Sequence, residues 1–219
     1  MVAEDKYWWE HGTDSVKGVA TPTVIYVNES FFMYYEAVGK DGISRIALAE
    51  SRDGLSFIKK GVVLEPLFDW NRYGVNHPFA AIYNDKIILL YVGFDGHCYS
   101  LGLALADVDD PGNIIYVSET PILTNRHNIF YKLYKDPLIS KLSLLGRSFI
   151  KYIVRRITSK TIIFPFTWNK LHIYRSSLLT TPSRRVKLLN NGLTLLYVSI
   201  YDGILGIPNI GVCRVRVNV

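Results

Sequence analysis

A carboxylate flanked by aromatic residues can be driven by burial toward the pKa of a proton donor, so such groups come first. Glu36 lies in the run Phe32-Met-Tyr-Tyr-Glu-Ala37. Strand alternation puts it on one face with Tyr34 and Phe32; facing inward it is a general-acid candidate, facing outward an ordinary ion-pair partner. Asp95, in Gly93-Phe-Asp-Gly-His97, is either a second carboxylate for catalysis or the turn residue that Asp-Gly commonly marks. His77 and His97 offer acid-base or ligand-binding nitrogens, against the commoner fate of a histidine satisfied within the fold. Trp8 and Trp9, like Trp70 and Trp168, carry flat apolar faces that match the axial C–H faces of sugar rings, with plain packing as the alternative. Arg175 and Arg184, with the adjacent Arg185, can grip a phosphate or a carboxylate bidentately. Asp53 and Asp110 sit in Asp-Gly and Asp-Pro-Gly turns, and turn chemistry accounts for them.

The absent signatures narrow the chemistry. There is no Walker loop, no G-x-G-x-x-G after a strand, no G-x-S-x-G elbow and no Cys/His zinc spacing, so neither a cofactor nor a metal is expected. The chain has 219 residues, 49% hydrophobic and 20% charged, which excludes extensive disorder and leaves enough length to bury a core. No apolar run approaches the roughly 20 residues of a membrane span. The stretch Met1 to Glu10 is acidic and aromatic and does not read as a secretory signal. Two cysteines, Cys98 and Cys213, make no disulfide framework, so a reducing, cytoplasmic setting is expected. Glutamine is absent, a bias of some thermophile chains. The net charge of +6 is uneven: residues 123–190 hold 14 Lys and Arg against one acid, Asp136. That +13 segment favours phosphate or another anion; nucleic acid, which would rest on charge alone, is not expected.

These side chains need elements to hold them, and a repeat supplies the plan. Pro22 to Val27, a turn at Asn28-Glu29-Ser30, Phe31 to Ala37, Arg45 to Glu50 and, after an Asp53-Gly54 turn, Leu55 to Ile58 read as four short strands. The order returns as Phe79 to Tyr83, Ile87 to Val92, Leu103 to Asp107 and Ile114 to Val117, with Pro22 and Pro78 56 positions apart and Ile46 and Leu103 57. A partial third copy comprises Thr161 to Phe164 and Leu171 to Tyr174; a fourth comprises Arg185 to Leu189, Leu193 to Val198 and Ile210 to Val215. Four-stranded units at this period predict an all-β fold, a β-propeller of four-stranded antiparallel blades, as a single domain over residues 1–219.

Between the second and third copies the β pattern lapses, marking an insertion at 124–160. Leu142, Leu145, Phe149, Ile153 and Ile157 recur at helical steps, with Lys141, Arg147, Lys151 and Arg155 mostly opposite. The spacing predicts an amphipathic helix over 141–157, packed on the propeller, with contact to a membrane surface as the less favoured role.

Two stretches resemble the five-bladed β-propeller glycosidases, the group containing glycoside hydrolase families 43, 32 and 130. The first is Phe32-Met-Tyr-Tyr-Glu-Ala with Ser44-Arg-Ile-Ala-Leu-Ala-Glu-Ser-Arg-Asp-Gly-Leu-Ser-Phe57 and Gly61-Val-Val-Leu-Glu-Pro66. The second, Gly102-Leu-Ala-Leu-Ala-Asp-Val-Asp-Asp-Pro-Gly-Asn-Ile-Ile-Tyr-Val-Ser-Glu-Thr-Pro-Ile-Leu123, is similar to family 130, whose members are mannoside phosphorylases and hydrolases. The resemblance implies five blades, a carbohydrate substrate in a central funnel, and cleavage of glycosidic bonds by hydrolysis or phosphorolysis. It also implies a catalytic Asp before the proline that opens a blade. The matching positions here are Ala20-Thr21-Pro22 and Asn76-His77-Pro78; only Asp136-Pro137 keeps the pair, so Asp136 is either that aspartate or the start of a helix. Glu36 should then face a carboxylate from Asp95 or Asp136 across the funnel, about 6.5 to 9.5 Å away if water is the nucleophile. If phosphate is the nucleophile, one acid suffices and Arg175 or Arg184 should hold the anion. The rival is a non-catalytic propeller binding a glycan or an anionic partner.

Overall fold

Short alternating segments punctuated by Asn, Asp and Gly turns become strands because each buries one or both faces against a neighbouring sheet. The computed structural model describes residues 6–14, 18–124, 172–189, 191–201 and 208–217. Among them there is one 3-10 turn, Trp8–Glu10, no α-helix, and eleven strands. The expected insertion at 124–160, including the helix over 141–157 and Asp136, lies almost wholly outside the described residues.

The first unit comprises β1 (Val19–Val27), β2 (Ser30–Val38), β3 (Ser44–Ser51) and β4 (Ile58–Leu64), each antiparallel to the next. The second comprises β5 (Gly74–Tyr83), β6 (Lys86–Phe94), β7 (Tyr99–Asp107) and β8 (Ile114–Val117), in the same order. Their opening hairpins are tight two-residue turns, Asn28-Glu29 and Asn84-Asp85, with Asn28, Glu29 and Asn84 at positive φ. One parallel pairing, Ser44 with Gly74, ties β3 to β5. Gly74 makes this approach possible, since a Cβ there would lie 3.2 Å from the Ser44 Cβ.

β4 begins later than the expected Leu55 to Ile58. Asp53 Oδ1 accepts the Leu55 and Ser56 amides, both at 2.8 Å, so those residues belong to the turn and pairing starts at Ile58. The third sheet also differs from expectation. β9 (His172–Leu178), β10 (Leu193–Tyr201) and β11 (Pro208–Arg216) form one antiparallel sheet in the order β11-β10-β9, merging pieces expected in separate copies. Arg185 to Leu189 is not a strand. Its backbone instead makes isolated bridges, Arg185 to Ile82 and Val186 to Thr180.

The sheets pack face to face. Ile25, Tyr34, Ile46 and Leu48 of the first meet Val75, Ile82, Ile87, Leu89 and Tyr91 of the second in one core. The other face of the second sheet, with Phe79, Ile88, Leu90 and Leu101, packs on Ile173, Leu178, Leu196 and Val198 of the third. Trp70 reaches over β6 and β7 because Gly93 and Gly102 carry no Cβ; one on Gly102 would come within 2.5 Å of Trp70 and Tyr91. The remaining face of the first sheet, bearing Tyr35, Ala37, Ala47 and Ala49, is covered by Trp9, Val19 and Phe57. There Glu10, with its side chain fully buried, accepts a 2.6 Å hydrogen bond from Tyr35 Oη and pairs with Lys59 at 2.5 Å.

Candidate functional site

The site is built by the same irregularity in two strands. In β1, Ala20 pairs with Glu36 and Thr23 with Tyr34, so Thr21 and Pro22 together oppose the single residue Tyr35. In β5, Asn76 pairs with Val92 and Phe79 with Leu90, leaving His77 and Pro78 opposite Tyr91. Proline has no amide to donate and cannot continue the ladder, which makes each a bulge of two residues against one. The residue before each proline is forced into the left-handed region, with φ of 45° at Thr21 and 49° at His77. That is costly for any side-chain-bearing residue and most of all for a β-branched threonine.

Both bulges deliver their side chains to Glu36. Thr21 Oγ1 donates to Glu36 Oε2 at 3.1 Å, and Ser44 Oγ, positioned by the β3–β5 pairing, donates to Oε1 at 3.4 Å. His77 Nδ1 stands 3.7 Å from Oε2, and the His77 backbone amide also hydrogen-bonds to the carboxylate. The Glu36 and His77 side chains are only 12% and 14% exposed. From β9, the Tyr174 ring packs on the His77 ring with centroids 4.5 Å apart, and Arg175 acts on both Glu36 and His77 through its charge. Tyr99, stacked on Phe94 at 4.4 Å, feels the Glu36 charge from the second sheet. Position 36 breaks the repeat, for its counterpart in β6 is Val92, fully buried in the apolar core.

Burial raises the Glu36 pKa above its ordinary value of 4.5, although the Thr21, His77 and Ser44 hydrogen bonds and the Arg175 charge pull the other way. His77 is pushed down to about 4, first by burial and then by the positive Arg175. The pair is therefore a carboxyl that keeps its proton unusually well beside a neutral imidazole, an arrangement able to donate a proton from Glu36.

Of the candidates expected from the sequence, the structure brings together Glu36, His77 and Arg175, from β2, β5 and β9. The other candidates have different surroundings. The buried Asp95 carboxylate accepts the His97 and Cys98 amides at 2.8 and 2.7 Å, closing the turn after β6. Trp9 packs on the Tyr35 face of the first sheet, opposite the face that Glu36 shares with Tyr34. Trp8 is half exposed, with the Arg45 guanidinium 4.8 Å from its ring. Arg184 accepts the Ile82 amide at 2.8 Å through its carbonyl and lays its guanidinium over Phe79. Asp136 lies outside the described residues. Ser44 and Tyr174 were not singled out; the repeat register that aligned Thr21 with His77 gives no sign of a pairing between sheets. Among the described residues no group of three or more His, Cys, Asp or Glu side chains is arranged to hold a metal ion. No helix among them is long and apolar enough to cross a membrane.

No family model and no curated protein matches the sequence. The fold, however, is shared with solved glycoside hydrolase structures. A glycosyl hydrolase from Bacteroides ovatus superposes with a TM-score of 0.55 at 17% identity, over 93% of this chain and 50% of that one. An α-L-arabinofuranosidase from Lactobacillus brevis gives 0.56 at 14% identity, over 93% and 55%. Sucrose-6-phosphate hydrolase from Lactobacillus gasseri gives 0.57 at 13% identity, over 95% and 34%. The chain thus spans about half the length of the first two and a third of the last.

Proposed function

We propose that the chain is a carbohydrate-active protein of the five-bladed β-propeller glycosidase type, whose sheets are blades and whose ligand site lies where β1, β5 and β9 converge. Its chemistry is cleavage of a glycosidic bond, with Glu36 as the proton donor to the leaving-group oxygen. The observation that carries this reading is the Glu36 carboxyl itself, held by Thr21, Ser44 and His77 at a position where the repeat otherwise places valine, and raised in pKa by burial. Fold likeness to glycoside hydrolases supports the class, while the site must support the activity. The test is turnover of a panel of aryl glycosides, with and without inorganic phosphate, by the native chain and by Glu36→Gln. The amide keeps the shape but has no proton of suitable acidity to give. A loss of at least a hundredfold, with an unchanged thermal midpoint, is expected; undiminished activity removes Glu36 from the role.

A specific observation favours a second reading, a non-catalytic glycan-binding propeller. Thr21 and His77 stand where the resemblance implies aspartates, and the groups shown around Glu36 are hydroxyls, an imidazole and a guanidinium rather than a second carboxylate. This reading predicts glycan affinity with no turnover on any member of the panel.

A further inference from the structure

Building on the carbohydrate reading, we infer that the sugar recognised at this site carries an anionic substituent, a carboxylate or a phosphate ester, and that Arg175 is its anchor. Arg175 is exposed, and its guanidinium lies 5.3 Å from the Tyr174 ring centroid. Among the described residues it has no carboxylate within ion-pair distance. Glu36, on which its charge acts, already receives Thr21 and Ser44 on its two oxygens. A guanidinium with no carboxylate at ion-pair distance among the described residues, beside a mostly buried polar cluster, is a receptor for an oxyanion, and its planar fork matches both carboxylate and phosphate.

Tyr174 explains why the anion should belong to a sugar rather than arrive alone. Tyr174 is 47% exposed, and its ring lies 5.3 Å from the Arg175 guanidinium and 4.5 Å, between centroids, from the His77 ring. A pyranose stacked on that ring would set a charged substituent against Arg175 while its opposite edge approaches His77 and Glu36. The arrangement thus brings an aromatic platform, an anion anchor and a proton donor to one site. Arg175 is the specificity-determining residue in this scheme, and Glu36 retains the chemistry.

The test measures binding by calorimetry on the full chain, with methyl glucuronide and methyl galacturonide against methyl glucoside and methyl galactoside. Glucose 6-phosphate and inorganic phosphate form two further arms. At least tenfold tighter binding of a charged sugar over its neutral counterpart is expected, lost in Arg175→Gln, partly retained in Arg175→Lys and unchanged in Arg214→Gln. Preference for the uronides or for the phosphate ester assigns the substituent. Inorganic phosphate binding alone, without charged-sugar preference, overturns the inference by making the anion independent of the sugar. Equal affinity for neutral and charged sugars also overturns it and leaves the glycan reading standing. No binding in any arm overturns both. Because the Arg175 side chain is exposed and makes no hydrogen bond among the described residues, Arg175→Gln should fold normally, and circular dichroism verifies this.

Discussion

His77 and Glu36 are shifted in opposite directions by the same burial, and pH separates them. A histidine with a folded pKa of about 4 instead of 6.5 binds fewer protons folded than unfolded between those values. Its contribution to stability is complete above pH 6.5 and is lost as pH falls through 4. Glu36, raised above 4.5, holds its proton better folded than unfolded, so its contribution is present below 4.5 and is lost as pH rises through the elevated value. Urea unfolding of the native chain and of His77→Asn between pH 4 and 6.5 should therefore show a difference that shrinks toward acid. A constant difference would mean that His77 is charged in the fold. The legible part of the site followed from residue type: a glutamate amid aromatic residues, a histidine before proline and an arginine beside tyrosine. Ser44 was illegible because its partner is set by a contact between sheets, which no local pattern encodes.

At the scale of elements, the 3-10 turn and the first sheet are joined by a buried charge pair. Glu10 is 1% exposed, and it links Tyr35 of β2 to Lys59 of β4 through one carboxylate. Burying two charges is costly, and removing one partner leaves the other without its main compensation. Glu10→Ala should cost about 3 kcal/mol in chemical denaturation, whereas replacing Glu10 and Lys59 together by methionine should recover most of that loss. Equal losses in the single and double variants would count against the pair as a coupled unit. Strand positions in the first two units were largely readable because apolar alternation and Asn or Asp turns recur at one lag. The start of β4 was misjudged because Asp53 holds two further residues in its turn, and Arg185 to Leu189 because an apolar run can serve as an edge connection as well as a strand.

Among the described residues the two four-stranded units, joined by the β3–β5 pairing, and the three-stranded sheet pack face to face, and polar links cross between the first two units. Tyr34 Oη, fully buried, donates to the Pro111 carbonyl at 2.7 Å, and Asn28 Nδ2 donates to the Val108 carbonyl at 3.0 Å. Both join the first unit to turns of the second, so the shared core and these bonds should make the two unfold together. Tyr34→Phe leaves the Pro111 carbonyl without that donor and should cost about 1 kcal/mol. One transition followed by both fluorescence and circular dichroism, shifted to lower temperature, is expected; two separated transitions would refute the coupling. Face-to-face stacking was foreseeable from the repeat, but the union of β9, β10 and β11 was not, since sequence order alone does not say which hairpins share a sheet.

The bulges at Thr21 and His77 work as sockets. In each, proline and the left-handed residue before it fix the direction of one Cα–Cβ bond, whatever that bond carries. The scaffold bears the conformational cost once, in the backbone, and leaves the occupant interchangeable. A single codon change there replaces a hydroxyl by an imidazole or a carboxylate within reach of Glu36 without disturbing the surrounding ladder. The chemistry of such a centre can therefore drift faster than its architecture.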